Sequence, residues 1–215
     1  MANRHDWRNA TTFPTGDSAA DDPSWAFGAV SAPTTDIFRD PGTAPPPPAS
    51  APRQPAPRQV VFIEGSVADY QILADGVQPG VKVVVLNPDA DGVQQIADYL
   101  QQHHVQGLDA VSIVADGADG ELQLGSTLLS ASNVAGYQPQ LAEIGAALKP
   151  GGDLLIYGCD VAQNSAGVAF LGDLATATGV ANIAAASHVV GAAAQGGSFN
   201  LDVDLGTAAT AAGPF

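Results

Sequence analysis

From Gln59 onward, short apolar runs rich in β-formers alternate with segments of helical periodicity, and this alternation constrains the fold more than any other feature. Val60–Ile63, Val81–Leu86, Leu108–Val114, Leu154–Tyr157 and Asn182–Ala186 read as buried strands. Between the first two, Ser66 predicts an N-cap for a helix carrying Val67, Tyr70, Leu73 and Ala74 on one face, ended by Gly76 and Pro79-Gly80. The turn Asn87–Gly92 leads into a second helix with Val93, Ile96, Ala97 and Leu100 along one stripe. A third helix is predicted over 140–148, stopped by Pro150-Gly151-Gly152. A fourth, Ala-rich, runs over 165–178 and stops at Gly179. A small strand pair at 121–124 and 127–129 follows Asp116-Gly117, and Ser198–Leu205 gives a last extended segment. Such alternation predicts an α/β fold: a mostly parallel sheet flanked by helices on both faces, joined by right-handed crossovers. Functional groups in such a sheet gather at the carboxyl ends of the strands. Asp116, after the third strand, and Cys159, after the fourth, fall there.

The pattern does not extend upstream. Residues 1–58 hold 11 of the 16 prolines, including Pro45-Pro46-Pro47-Pro48, and have no lasting apolar periodicity. They predict a disordered Pro/Ala-rich tail or linker. Trp7, Phe13, Trp25, Phe27, Ile37 and Phe38 are its apolar exceptions, fitting a sticky tail or a short docking motif. The predicted domain spans 59–206, with 207–215 as the start of a further linker. The sequence at Met1–Trp7 has no apolar h-region, so no Sec signal peptide is expected. No stretch reaches the ~18 apolar residues of a membrane span.

Charge narrows the function classes. The chain carries 22 acidic residues against 7 basic ones, a formal charge of −15. Nearly all of this belongs to residues 59–215, where Lys82 and Lys149 face 16 carboxylates, and no Arg is present. Nucleic-acid binding, which needs Lys and Arg to neutralise phosphates, is disfavoured, as is docking on anionic membranes. Without Arg there is no bidentate clamp for a phosphate or carboxylate. No P-loop occurs, and no GxGxxG follows a strand, so no nucleotide cofactor is expected. A single cysteine excludes an internal disulfide framework and a Cys-rich metal site.

An ordered series of motifs carries a specific resemblance: Val111–Gly117, Glu121-Leu-Gln-Leu-Gly125, Leu154-Leu-Ile-Tyr-Gly-Cys-Asp160, Gly167…Phe170…Leu174…Thr178-Gly179 and Gly196-Gly197-Ser-Phe-Asn-Leu201. Over residues 59–206 the chain resembles an uncharacterised domain family. That family occurs near the N-termini of very large bacterial surface and secreted repeat proteins, with cadherin-like and haemolysin-type calcium-binding repeats downstream. The family in turn is similar to caspase-like, clan CD cysteine peptidases. In that fold a His-Gly follows the third strand and a Gly-Cys the fourth.

In such a dyad the thiol attacks as thiolate, while the imidazole supplies base character or protonates the leaving amine. Here Ala115-Asp116-Gly117 stands where the resembled family has Ser-His-Gly, while Cys159 is kept. A carboxylate beside a thiol raises the thiol pKa and has no proton to give a departing amine. Asp160 and the acidic surroundings push the same way. His188, after the fifth strand, is the candidate substitute base; its plainer reading is a loop histidine. His103-His104 close the second helix, where a cation complements the dipole. Cys159 itself also fits an inert, partly buried thiol. Asp89-Ala-Asp91-Gly92 and Asp116-Gly-Ala-Asp119-Gly-Glu121 look like calcium loops, but neither completes the twelve-residue pattern, and Asp-Gly steps are ordinary turn chemistry. No metal site is expected.

The expectation is therefore a caspase-like module without competent catalytic residues, with a structural or interaction role in adhesion. Its partner would be a protein or the neighbouring repeat domains of a longer chain. By resemblance, it would belong to a protein that is secreted or on the bacterial surface through a non-Sec route. Two alternatives stand beside it. One is a cysteine peptidase, self-processing or not, using Cys159 with His188. The other is a peptide-binding module keeping an ancestral groove walled by 117–136 and 187–197.

Overall fold

The computed structural model describes residues 58–208 and 213–215. The reading of a disordered tail, with its aromatic residues, lies outside the described residues apart from Arg58. The first β-α-β unit is β1 (Gln59–Glu64), α1 (Tyr70–Asp75) and β2 (Lys82–Leu86), followed by α2 (Gly92–Gln102) and β3 (Leu108–Val114). Three short strands follow: β4 (Gly117–Ala118), β5 (Glu121–Leu124) and β6 (Thr127–Ser130). Then come α3 (Gln138–Ala147), β7 (Leu148–Tyr157), α4 (Ser165–Thr178), β8 (Asn182–Ala185) and β9 (Val203–Leu205).

The main sheet has the order β2-β1-β3-β7-β8-β9. Its first four pairings are parallel and β9 joins antiparallel. The chain steps from β1 outward to β2, then returns past β1 to β3 and continues in one direction through β7 and β8. With right-handed crossovers, that reversal puts α1 on one face and α2, α3 and α4 on the other. The core divides accordingly. Phe62, Ile96, Leu100, Ile144, Leu154, Phe170 and Leu174 pack in the three-helix layer. Val61, Ile63, Leu155 and Tyr157 pack on the opposite face beneath Tyr70, Leu73 and Ala74 of α1. β5 and β6 turn Leu122, Leu124 and Leu129 into the three-helix layer.

Local chemistry explains the element ends. The Asp91 carboxylate accepts from the Gln94 N–H at 3.0 Å and caps α2, whose Val93, Ile96, Ala97 and Leu100 are buried as the periodicity predicts. α4 ends on Gly179 in the left-handed region, φ 70°, with its N–H on the Ala175 carbonyl at 2.9 Å. The N-terminus of α4 is capped from a distance, where Asp119 Oδ1 accepts from Asn164 N at 2.9 Å and Gly167 N at 3.0 Å.

Four local expectations need correction. Ser66 does not cap α1: its N–H and hydroxyl both donate to Glu64, and the helix starts only at Tyr70. β2 is not buried; it is the outermost strand of the sheet, with Lys82 and Val85 exposed. α3 ends at Ala147, before Pro150-Gly151-Gly152 can stop it, because β7 begins at Leu148 and runs through that segment. The pairing with β3 shifts register between Leu108 and Ala110, a bulge that Gly151 accommodates at φ 77°. The expected strand pair is a three-stranded antiparallel sheet, because Gly117-Ala118 pairs with Glu121-Leu122.

Candidate functional site

β3 and β7 are neighbours in register Val114↔Tyr157, and the ladder continues as Ala115 N–H donates to the Tyr157 carbonyl at 3.2 Å. One step further along each strand brings Asp116 and Cys159 to the same carboxyl-terminal edge. Parallel strands lie about 4.8 Å apart, so the two segments leave the sheet side by side. Two glycines permit the approach. A Cβ on Gly117 would meet Val161 Cγ2 at 2.5 Å and the main-chain O and N of Cys159 at 2.9 and 3.3 Å. One on Gly158 would meet Val161 Cγ2 at 2.7 Å and Leu122 Cδ1 at 3.0 Å. Gly117→Ala should therefore cost about 1–3 kcal/mol by overpacking. We expect a lower urea midpoint at unchanged slope and faster alkylation of Cys159 as the contact loosens. Unchanged values for both would mean that the two loops are not in contact.

After Cys159 the chain turns sharply. Asp160 takes a left-handed conformation, φ 57°, which Asp tolerates better than most residues. Its N–H donates to the His188 carbonyl at 3.0 Å, and Ala162 N–H to the Ala186 carbonyl at 3.0 Å, so the turn is laced to the chain leaving β8. The half-buried Cys159 thiol lies 3.7 Å from the Val190 carbonyl as donor. Burial pushes the thiol pKa up, and the Asp160 and Asp116 carboxylates add to the rise. The sequence-based expectation for the direction agrees, although loss of hydration ranks above the acidic neighbours.

Asp116 keeps an exposed surface, yet the protein on its other sides removes enough water to push its carboxyl pKa above the ordinary value. The second cause is Glu64, a residue that the sequence reading passed over. Glu64 ends β1 and is fully buried, at 0 % exposure. Its Oε2 accepts from the Ser66 N–H at 2.8 Å and from the Ser66 hydroxyl, while Oε1 has no hydrogen-bond partner among the described residues. It sits where the strand order reverses, between β1 and β3. In open α/β sheets this switch point is where ligands are bound. The signal available in the sequence was a carboxylate closing an apolar strand, and only the topology gives it meaning.

His188 makes other contacts. Its Nδ1 lies 3.1 Å from the Val189 carbonyl, and its Nε2 lies 3.6 Å from Asp202 Oδ1. Asp202 also accepts from the Ser187 N–H at 2.8 Å. Among the described residues, no hydrogen bond joins the Cys159 sulfur to His188 or to Asp116. Two carboxylates of the calcium-like loops serve the fold: Asp119 caps α4, and Asp91 caps α2 while accepting from the Tyr137 hydroxyl at 2.7 Å. His103 ends α2 and stacks on Tyr99 with ring centroids 4.4 Å apart. Among the described residues no group of three or more His, Cys, Asp or Glu is arranged to hold a metal ion. Among the described residues, no helix is long and apolar enough to cross a membrane.

Chemically, the edge presents a thiol biased toward its protonated form, a carboxyl group beside it on the adjacent strand end, and the buried Glu64 at the end of the next strand. The described residues thus form an α/β domain built on a mostly parallel six-stranded sheet, whose carboxyl-terminal edge pairs an acid with a thiol. It belongs to the family described as a domain of unknown function, DUF4347, whose model matches residues 60–214. No curated protein matches the chain significantly. One solved structure, the crystal structure of a small-chain dehydrogenase, is similar at 10% identity. The match covers 56% of this chain and 68% of that one with a TM-score of 0.27, a superposition too poor to bear on fold or site.

Proposed function

We propose that this domain is a non-catalytic, caspase-like module of a large secreted or cell-surface bacterial protein, with a structural or interaction role in adhesion. The observation that carries the non-catalytic part is the pairing of Asp116 with Cys159 on adjacent strand ends, with the thiol pKa pushed up. Peptide hydrolysis by a thiol needs the reverse, a thiol easily ionised and a neighbour that stabilises the thiolate. The secreted, adhesive setting is supported by the motif resemblance. The strong acidity, 16 carboxylates against two lysines over 59–215, also suits calcium-containing surroundings.

The test is direct. The intact chain and peptides with acidic or basic side chains, incubated for long periods at several pH values, should show no cleavage that depends on Cys159. Cleavage that disappears in Cys159→Ala sinks the proposal. Its additional loss in His188→Ala would assign the base to His188.

A further inference from the structure

The face of the sheet covered by α1 has a thinner cover than the three-helix face, and part of that cover is a short stretch of chain. Gly213–Phe215 lies across it, held in an unusual way. Gln78, in the connection from α1 to β2, donates to three successive main-chain oxygens. Its N–H donates to the Pro214 carbonyl at 2.9 Å, and its side-chain amide to the main-chain oxygens of Gly213 and Phe215, each at 3.2 Å. The Phe215 ring stands edge-on to Tyr157 with centroids 5.5 Å apart, and tilted against Phe199 at 4.9 Å. Pro214 is buried, while Phe215 stays partly exposed.

These contacts have the composition of a peptide site. One residue reads the backbone without regard to side chains, and two aromatic rings form a slot for a third. Three residues and one partly exposed ring make a modest hold, which a competing segment can displace. We propose that the surface formed by Gln78, Tyr157 and Phe199 is a binding site for an extended peptide of a protein partner, carrying an aromatic residue after proline, and that Gly213–Phe215 occupies it in cis. Tyr157 lies two residues before Cys159 on β7, but the site uses neither the thiol nor Asp116 and stands whether or not that thiol is inert.

A tethered occupant acts at an effective concentration in the millimolar range. Binding in trans is therefore masked in the unaltered chain and revealed when the occupant is weakened. The probe is a synthetic peptide with the sequence of residues 209–215, amidated at its end, titrated calorimetrically into the full chain. Phe215→Ala should bind it about tenfold or more tightly than the unaltered protein does. Adding Gln78→Ala or Phe199→Ala to that variant should weaken binding, and a peptide with alanine for its phenylalanine should not bind. Tyr157 supplies a second readout. Burial pushes its hydroxyl pKa up to about 12. The late-titrating tyrosine in an alkaline absorbance titration should move toward its ordinary value in Phe215→Ala and return when the peptide is added. Phe215→Leu covers the case in which Phe215→Ala does not fold, and it too should bind more tightly than the unaltered chain. Absence of saturable binding to the folded variant overturns the proposal, as does binding indifferent to both Gln78→Ala and Phe199→Ala.

Discussion

Asp116→His should make Cys159 react faster with a neutral alkylating reagent, and the rate–pH curve should move to lower pH. The argument is one of sign. Burial, Asp160 and Asp116 all hold the Cys159 thiol in its protonated form. Replacing the Asp116 carboxylate with an imidazole removes a repulsive charge, and when protonated the imidazole supplies an attractive one. Each 1.4 kcal/mol of such differential interaction changes the thiolate fraction about tenfold, and a rise of about that size in the rate at neutral pH is expected. Asp160→Asn should move the curve in the same direction without supplying the cation, and so by less. The outcome requires no peptidase activity. If the Asp116→His and unaltered curves coincide, Asp116 does not act on the Cys159 sulfur, and the account of a disarmed dyad fails.

The largest loss of stability is expected from Phe62→Ala. Phe62 lies on β1, which is paired on both sides by β2 and β3, has no exposed surface, and packs in the three-helix layer. Its ring meets Tyr99 of α2 edge-on with centroids 5.6 Å apart. Truncation removes the transfer free energy of the ring and leaves a cavity that strands paired on both sides cannot close. Such changes cost about 3–5 kcal/mol, against a total stability of about 5–15 kcal/mol for an ordinary domain. Urea unfolding monitored by circular dichroism gives the value. Ile72→Ala is the contrast: at 69 % exposure on α1 it should change stability by no more than about 0.5 kcal/mol. Similar losses for both would contradict the burial of Phe62 and the exposure of Ile72.

The regular elements were legible because their signals are local. Leu108–Val114 and Ser165–Thr178 have the bounds expected from apolar content, Ala-rich periodicity and Gly179. The position of Asp116 and Cys159 at one edge followed from the β-α alternation alone. What was not legible depends on contacts far apart in the chain. Asp119 reads as turn chemistry, yet it caps a helix that begins 46 residues later, at Ser165. Val81–Leu86 has the composition of a buried strand, and only the strand order makes it an edge. Ser66, expected to accept from the first N–H groups of a helix, instead donates to the Glu64 carboxylate two residues before it. Glu64 gained a part in the site only when β1 and β3 proved to be the pair at which the chain reverses direction. The surroundings of the thiol come from Val190, 31 residues beyond it, through a loop with no helical or strand periodicity.

The outer position of β2 bears on how copies of this domain behave in concentrated solution. Among the described residues no strand pairs with the outer rim of Lys-Val-Val-Val-Leu, and such a rim, with Val85 open to solvent, is a template for adding a strand from another molecule. Three features work against that. Lys82 puts a charge on the rim itself, using one of the two lysines in residues 59–215. Pro79 before the strand and Pro88 after it interrupt any extension of the ladder. The excess of carboxylates repels a second copy at longer range, so resistance to edge-to-edge aggregation weakens as acid or salt neutralises or screens that charge.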